Sequence, residues 1–139
     1  MSLSTYLTFG GNCREAFEFY RSVFGGEFTE FQTFAGGPPD MPVSEEEKNL
    51  VMHAALPIGS SILMGSDSSS FGPPLAVGNN FSIAIDAESR ERCEELFAKL
   101  SAGGSVIMPL QDQFWGSYFG QCADRFGVHW MVSHTAPTE

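Results

Sequence analysis

Hydrophobic and polar positions in the first half of the chain predict one strand, one helix and then three strands. Residues 5–9, TYLTF, alternate as a strand does, and Gly10 and Gly11 interrupt the pattern. Asn12 with Glu15 three positions later is typical of a helix N-terminus. The apolar stripe of this helix consists of Ala16, Phe17, Tyr20 and Phe24. The later strands are predicted over residues 27–34, 50–58 and 60–66.

The second half repeats this order with different residues. Residues 81–85, FSIAI, predict a strand, and Asp86 is the predicted N-cap of the following helix. That helix has an apolar stripe of Cys93, Leu96, Phe97 and Leu100. Three more strands are predicted over residues 105–110, 117–124 and 128–133. The halves, at about 4–67 and 79–134, form a weak internal repeat in pattern, and Pro- and Gly-rich stretches at 35–49 and 67–78 predict loops.

Composition and charge restrict the class of protein. A chain of 139 residues that is 42% hydrophobic is the size of one folded domain, here 1–139. The net charge of −10 repels nucleic-acid and membrane phosphates, so neither partner is expected. Three cysteines without Cys-x-x-Cys spacing argue against a disulfide framework, and no signal or membrane-spanning segment is recognised. We therefore expect a soluble, cytoplasmic protein.

Three segments carry a resemblance to a known family. YLTFGGNCREAFEFYRSVFGGE, MHAALPIGSSILMGSD and DRFGVHWMVS together resemble the PhnB-like branch of the vicinal oxygen chelate superfamily, which includes glyoxalases, bleomycin resistance proteins and extradiol dioxygenases. The resemblance implies an α+β fold in which paired βαβββ modules form a curled, cup-like mixed sheet. It also implies a homodimer and a binding site inside the cup.

The resemblance raises the question of a metal, because glyoxalase-type members hold one with ligands on the first and last strands of each module. The matching positions here are Thr5, Met64, Asn80 and Trp130. A thioether is a soft ligand and an indole N–H is only a donor, so this set does not suit a divalent metal. We therefore predict no metal site and no cofactor, and a divalent metal would need displaced ligands.

Candidate site residues follow from the predicted strands. His53 lies within a strand and is the best single candidate for a catalytic or orienting group, the alternative being an ordinary sheet histidine. Asp67 and Asn80 are candidates for polar contacts, although residues such as Asp67 commonly serve in turns. Apolar and aromatic candidates for the wall of a ligand cup, or alternatively of a filled core, are Leu7, Phe9, Met64, Trp115 and Trp130. If Trp130 faces the cup, alternation turns His129 away from it.

These residues favour one function over two alternatives. The expected function is binding of a small hydrophobic or planar molecule in an aromatic-lined cup without the usual metal. One alternative is a metal-dependent lyase or dioxygenase-like enzyme that uses His53 with groups at displaced positions such as Asp67 and Asn80. The other is a drug-sequestering resistance protein. A methyltransferase is not supported, because the Gly-Gly-Asn after the first strand lacks the G-x-G-x-x-G spacing of a nucleotide-binding turn.

Overall fold

A computed structural model describes residues 1–36, 45–68 and 74–135 of the chain. Backbone contacts divide the chain into two compact units, Met1–Ala76 and Val77–Glu139. Parts of both predicted loops and the end of the C-terminal tail, residues 37–44, 69–73 and 136–139, lie outside the described residues. None of the described helices is long and apolar enough to cross a membrane.

The first unit contains four strands and one α-helix among its described residues. In chain order these are β1 (Thr5–Phe9), α1 (Cys13–Phe24), β2 (Glu30–Thr33), a short 3-10 turn (Phe34–Gly36), β3 (Val51–Ile58) and β4 (Ser61–Asp67). The sheet order is β1-β4-β3-β2. Strands β1 and β4 are parallel and the other neighbours are antiparallel, so the sheet is mixed.

The second unit has the same order and the same pairing pattern. Its described elements are β5 (Ile83–Asp86), α2 (Arg90–Ser101), β6 (Ser105–Asp112), β7 (Ser117–Ala123) and β8 (His129–Thr135). The sheet order is β5-β8-β7-β6, with β5 parallel to β8. The predicted α+β class and the repeated βαβββ order are confirmed.

Some element boundaries differ from the predicted ones. Strand β2 covers Glu30–Thr33 instead of residues 27–34, since its ladder with β3 is this short. Helix α2 has Ser89 as its N-cap instead of Asp86, because the Ser89 side chain accepts the backbone N–H of Arg92 at 3.0 Å. The two candidate N-caps are three positions apart, an error typical of helix boundaries predicted from sequence pattern alone.

Each helix packs on one face of its own sheet, which we call the helix face, and the other side is the opposite face. In the first sheet a β-carbon at Gly65 would lie 2.7 Å from the ring of Phe17, so Gly65 is on the helix face. Leu7 and Ala54 pair with Gly65 and share that face. In the second sheet a β-carbon at Gly120 would lie 2.8 Å from the ring of Phe97 in the same way. In both units a glycine therefore allows the helix to approach the sheet closely.

Candidate functional site

The opposite face of the first sheet carries polar and aromatic side chains from all four strands. Because side chains alternate along a strand, residues next to the helix-face positions point to this side. Tyr6 pairs with Met64 on β4, which pairs in turn with Ala55 on β3. The residues assigned to this face by register are Tyr6, Thr8, Glu30, Gln32, His53, Ala55, Met64 and Ser66.

His53 is at the centre of the polar contacts on this face. Its Nε2 lies 2.8 Å from a carboxylate oxygen of Glu30, and its Nδ1 lies 3.3 Å from the hydroxyl oxygen of Tyr6. The rings of Tyr6 and His53 are stacked, with centroids 5.8 Å apart and planes inclined by 22°. The Tyr6 residue is 47% exposed, so its ring and hydroxyl remain accessible from this face.

The two neighbours of His53 assign the hydrogens of the neutral imidazole. An ionised carboxylate only accepts hydrogen bonds, so the ring hydrogen lies on Nε2 and is donated to Glu30. Nδ1 is then an acceptor, and the Tyr6 hydroxyl donates to it. The Tyr6 oxygen keeps acceptor capacity for a further hydrogen bond. This arrangement is able both to orient a polar group and to take up a proton at Nδ1.

Two apolar candidates of the first unit lie on the helix face. Leu7 and Phe9 are 6% and 5% exposed, and the Phe9 ring meets the Phe17 ring edge-on at 6.2 Å. They pack in the core beneath α1, whereas Met64 lies beside Tyr6 on the opposite face. Of the five site candidates in this unit, the structure therefore brings together His53 and Met64.

Asp67, the fifth candidate of the first unit, has its carboxylate occupied by backbone groups. Oδ1 accepts the N–H of Gly11 and of Cys13, each at 2.9 Å, and Oδ2 accepts the N–H of Val51 at 2.8 Å. Asp67 is buried, so these contacts compensate the removal of its charge from water. It joins the end of β4 to the start of α1 and to β3.

Trp130, the main aromatic candidate of the second unit, lies on the helix face of its sheet. It pairs with Cys122, which is on the same side as Gly120. Its indole N–H donates to Asp124 Oδ2 at 2.9 Å, and the residue is 1% exposed. Alternation places its neighbour His129 on the opposite face.

The two other candidates of the second unit lie outside its strands. Trp115 lies between β6 and β7, is 57% exposed and contacts the rings of Phe114 and Phe119. Asn80 precedes β5 and is exposed. Neither is packed into the core of its unit.

The three cysteine thiols are held in their neutral form. Burial raises the pKa of the Cys13 thiol to about 12, and the neighbouring Asp67 carboxylate adds to this rise. Burial also raises the pKa of Cys122 to about 11, with a contribution from Asp124. The pKa of Cys93 is raised mainly by burial as well. All three are buried and free, so they are poor nucleophiles.

The donor set does not suit the metal that the resemblance implies. Trp130 uses its single N–H on Asp124 and has no lone pair to offer, and Met64 provides only a thioether. His53 and Glu30 are adjacent, but they are two ligands and they bond to each other. Across residues 1–36, 45–68 and 74–135, no three His, Cys, Asp or Glu side chains are grouped to hold a metal ion.

Sequence reasoning missed Tyr6 and Glu30, the two partners of His53. Tyr6 is 47 positions from His53 and Glu30 is 23 positions from it, so spacing along the chain gives no sign of the contact. The available signal was alternation within TYLTF, which separates Tyr6 from the apolar Leu7 and Phe9. Using that signal requires the register of β1 against β4, which the sequence pattern does not supply.

Comparison with known proteins gives matches over almost the whole chain. The model of the Glyoxalase/Bleomycin resistance protein/Dioxygenase superfamily matches residues 2–132. Protein YjdN of Escherichia coli (strain K12) is 32% identical over 141 residues, covering 96% of this chain and 95% of that protein. The structure of PA1353 from Pseudomonas aeruginosa is 39% identical, with a TM-score of 0.88 and coverage of 97% of this chain and 98% of that one.

A further solved structure belongs to a PhnB protein, the branch of the superfamily that the sequence resembles. The PhnB protein from Bacillus cereus is 25% identical, with a TM-score of 0.78 and coverage of 97% of this chain and 100% of that one. The predicted resemblance to the superfamily and its PhnB-like members is thereby confirmed.

Proposed function

The chain belongs to the Glyoxalase/Bleomycin resistance protein/Dioxygenase superfamily, and we propose that it binds a small planar molecule on the opposite face of its first sheet. The observation that carries this proposal is the accessible Tyr6–His53 ring stack, whose polar edge is bonded to Glu30. Binding at this face uses no metal, since its donors do not form a metal site.

The ring stack has the properties of a recognition surface for a flat molecule. Aromatic side chains provide a large contact area with few rotatable bonds, and ring stacking adds about 0.5–1.5 kcal/mol beyond burial of area. Ile62 and Met64 lie on the same face and extend the apolar surface, and Ile62 is 42% exposed. A planar, mainly apolar molecule with one polar group suits this combination.

Titration with 2-methoxynaphthalene, followed by NMR chemical shifts, tests the proposal. This probe is planar and has no acidic hydrogen, and its saturated counterpart 2-methoxydecalin is the non-planar control. We expect Tyr6→Ala to weaken binding of 2-methoxynaphthalene by about tenfold, which corresponds to about 1.4 kcal/mol. Tyr118→Ala removes a tyrosine from the second unit and is expected to leave the affinity unchanged.

Three results of that titration contradict the proposal. They are equal binding of the planar and saturated probes, equal effects of Tyr6→Ala and Tyr118→Ala, and loss of binding after treatment with a metal chelator. Equal binding of the two probes shows that flatness is not recognised, equal effects of the variants locate binding away from Tyr6, and chelator sensitivity shows that a metal takes part.

The two alternatives have less support from the described residues. A lyase or dioxygenase-like enzyme with displaced metal ligands requires more ligands than His53 and Glu30 provide. A drug-sequestering protein rests on the charge of −10 and on no particular contact. The planar-molecule proposal is preferred because it uses side chains already in contact.

We also propose that the protein is a cytoplasmic homodimer. The cytoplasmic assignment rests on three free, buried cysteines. The dimer is supported by exposed apolar side chains in the second unit, a feature of partner surfaces. They include Val106, Ile107, Met108, Phe114 and Trp115. Sedimentation equilibrium at micromolar concentration is expected to give the dimer mass, and a monomer mass contradicts the proposal.

A further inference from the structure

Tyr6, His53 and Glu30 form a continuous hydrogen-bonded line from an accessible hydroxyl to a carboxylate. The hydroxyl bonds to His53 Nδ1 at 3.3 Å and the opposite ring nitrogen bonds to Glu30 at 2.8 Å. The planar-molecule proposal uses the rings of this group but not its ability to move a proton. The order hydroxyl, imidazole, carboxylate provides a proton acceptor whose charged form has a partner already in place.

We propose that this line, the Tyr6–His53–Glu30 relay, accepts a proton from an acidic hydroxyl of the bound planar molecule, which is then held as its oxyanion. This inference rests on the proposed function. It narrows the class of planar ligands to phenols and stable enols. The hydroxyl of such a molecule lies in the plane of its conjugated system, so the ring packs against the exposed Tyr6 ring while its oxygen meets the Tyr6 hydroxyl oxygen.

The proton transfer is balanced within the four groups. The ligand O–H bond breaks and its proton forms a new O–H bond on Tyr6. The original Tyr6 proton moves to Nδ1 of His53. The Nε2 atom keeps its own hydrogen, which it donates to the Glu30 carboxylate. The ligand becomes an anion, His53 becomes a cation, and the net charge of the complex does not change. The oxyanion then accepts a hydrogen bond from Tyr6, which is stronger than one between neutral groups.

Among the residues that strand register assigns to the face of His53, Glu30 and Tyr6 are the titratable ones. Its nearest neighbours there by register are Gln32, Ala55, Met64 and Ser66, and none carries a charge. Asp67 belongs to the helix face, and its carboxylate is bound to three backbone N–H groups. Helix α1, with its charged side chains, packs on that same helix face. The imidazolium is therefore compensated by Glu30 on one side and by the ligand anion on the other.

Absorption spectroscopy of 4-nitrophenol tests the relay, because its anion absorbs at longer wavelength than its neutral form. We expect the pKa of the protein-bound 4-nitrophenol to fall by about one unit relative to the free compound, a tenfold shift toward the anion. The affinity for 4-nitrophenol is expected to fall as the pH is lowered, because a His53 ring that is already protonated cannot accept the proton of the ligand.

Three variants separate the relay from simple stacking. Tyr6→Phe keeps the ring and removes the oxygen, and His53→Gln removes the proton acceptor. Both are expected to bind 4-nitrophenol in its neutral form, with the acid limb of the pH profile lost. Glu30→Gln keeps an acceptor for Nε2 but removes its charge, so the shift toward the anion is reduced. His129→Gln is the matched control, on the opposite face of the second sheet, and keeps the full shift.

The outcomes distinguish failure of the relay from failure of the planar-molecule proposal. If the unsubstituted protein binds both 4-nitrophenol and 2-methoxynaphthalene but leaves the former neutral, the relay is refuted and planar binding stands. If neither probe binds, both proposals fail. An anion shift that persists in both Tyr6→Phe and His53→Gln also overturns the relay, because another group must then accept the proton.

Discussion

The two units place different chemistry at the same positions of the same ladder. In the first sheet Tyr6 pairs with Met64 on the parallel neighbour, and in the second Ala84 pairs with Met131. Extending the two registers strand by strand gives the counterparts of the relay residues Tyr6, His53 and Glu30. These counterparts are Ala84, Phe119 and Met108, respectively.

This difference shows that the sheet itself does not require the relay. The second unit forms the same mixed four-stranded sheet with apolar side chains at those three positions. A polar line with an exposed end contributes little to stability, since exposed ion pairs typically give 0–1 kcal/mol. The sheet does not require His53 and its two partners, and this agrees with the binding role that we propose for them.

The units also differ in how a buried aspartate is used. In the first, Asp67 accepts the backbone N–H groups of Gly11, Cys13 and Val51, so it joins three segments. In the second, Asp124 accepts the backbone N–H groups of a turn and the indole N–H of the strand that follows it, a more local set. Asp67 thus joins segments that are far apart in the sequence, and its removal is expected to affect the start of α1 and of β3.

The largest expected effect is that of Asp67→Ala. It leaves three backbone N–H groups without their acceptor, two of them in buried hydrogen bonds, and we expect the free energy of unfolding to fall by about 3 kcal/mol or more. Urea denaturation measures this loss, and the exposed Asp112→Ala is the control with a small expected effect. Amide exchange is expected to accelerate at the start of α1 and in β3. A loss below about 1 kcal/mol contradicts the structural role assigned to Asp67.

A smaller effect is expected from the helix caps, which differ between the units. Ser89 caps α2 through its side chain, whereas Asn12 makes no side-chain hydrogen bond at the start of α1. We expect Ser89→Ala to lower the free energy of unfolding by about 1 kcal/mol. Asn12→Ala is expected to have little effect, because Asp67 already accepts the Cys13 N–H. Urea denaturation measures both variants, and equal losses of unfolding free energy contradict the predicted difference between the two helix caps.

The smallest change in stability is expected from exchanging the relay for its counterparts. The triple variant Tyr6→Ala, His53→Phe and Glu30→Met gives the first sheet the side chains of the second. We expect its free energy of unfolding to stay within about 1 kcal/mol of the original, while binding of the 4-nitrophenol anion is abolished. Circular dichroism and urea denaturation measure the free energy of unfolding, and absorption spectroscopy measures binding of the 4-nitrophenol anion. Unfolding of this variant shows that the relay is needed for the fold.

Much of the fold was predictable because it depends on local pattern. The stripe of Ala16, Phe17 and Tyr20 has helical spacing, and all three residues are buried in α1. Strands such as TYLTF have the two-residue alternation that a sheet with one covered face requires. The boundaries were less well predicted, as at Ser89, since several nearby residues are able to cap a helix.

The site was only partly predictable, because the alternation along a strand does not show which of its two faces packs against the helix. The place of His53 within a strand makes it a candidate from the sequence, and its role stays a proposal. Trp130 stands near a family ligand position, which predicts it for the cup wall, whereas the ladder places it on the helix face beneath α2. A shift of one residue in register reverses every side chain of a strand, so this choice depends on pairing.

The amino-acid sequence alone predicts the repeated order of elements, the apolar faces of the helices and the acidic character of the protein. These properties follow from composition and from spacings of two to four residues. The contacts of Tyr6 and Glu30 with His53, and the hydrogen bonds by which Asp67 joins three segments, depend on the three-dimensional fold. These contacts span 16 to 56 positions of the chain, and they form only when the register between strands is fixed by packing against the helix.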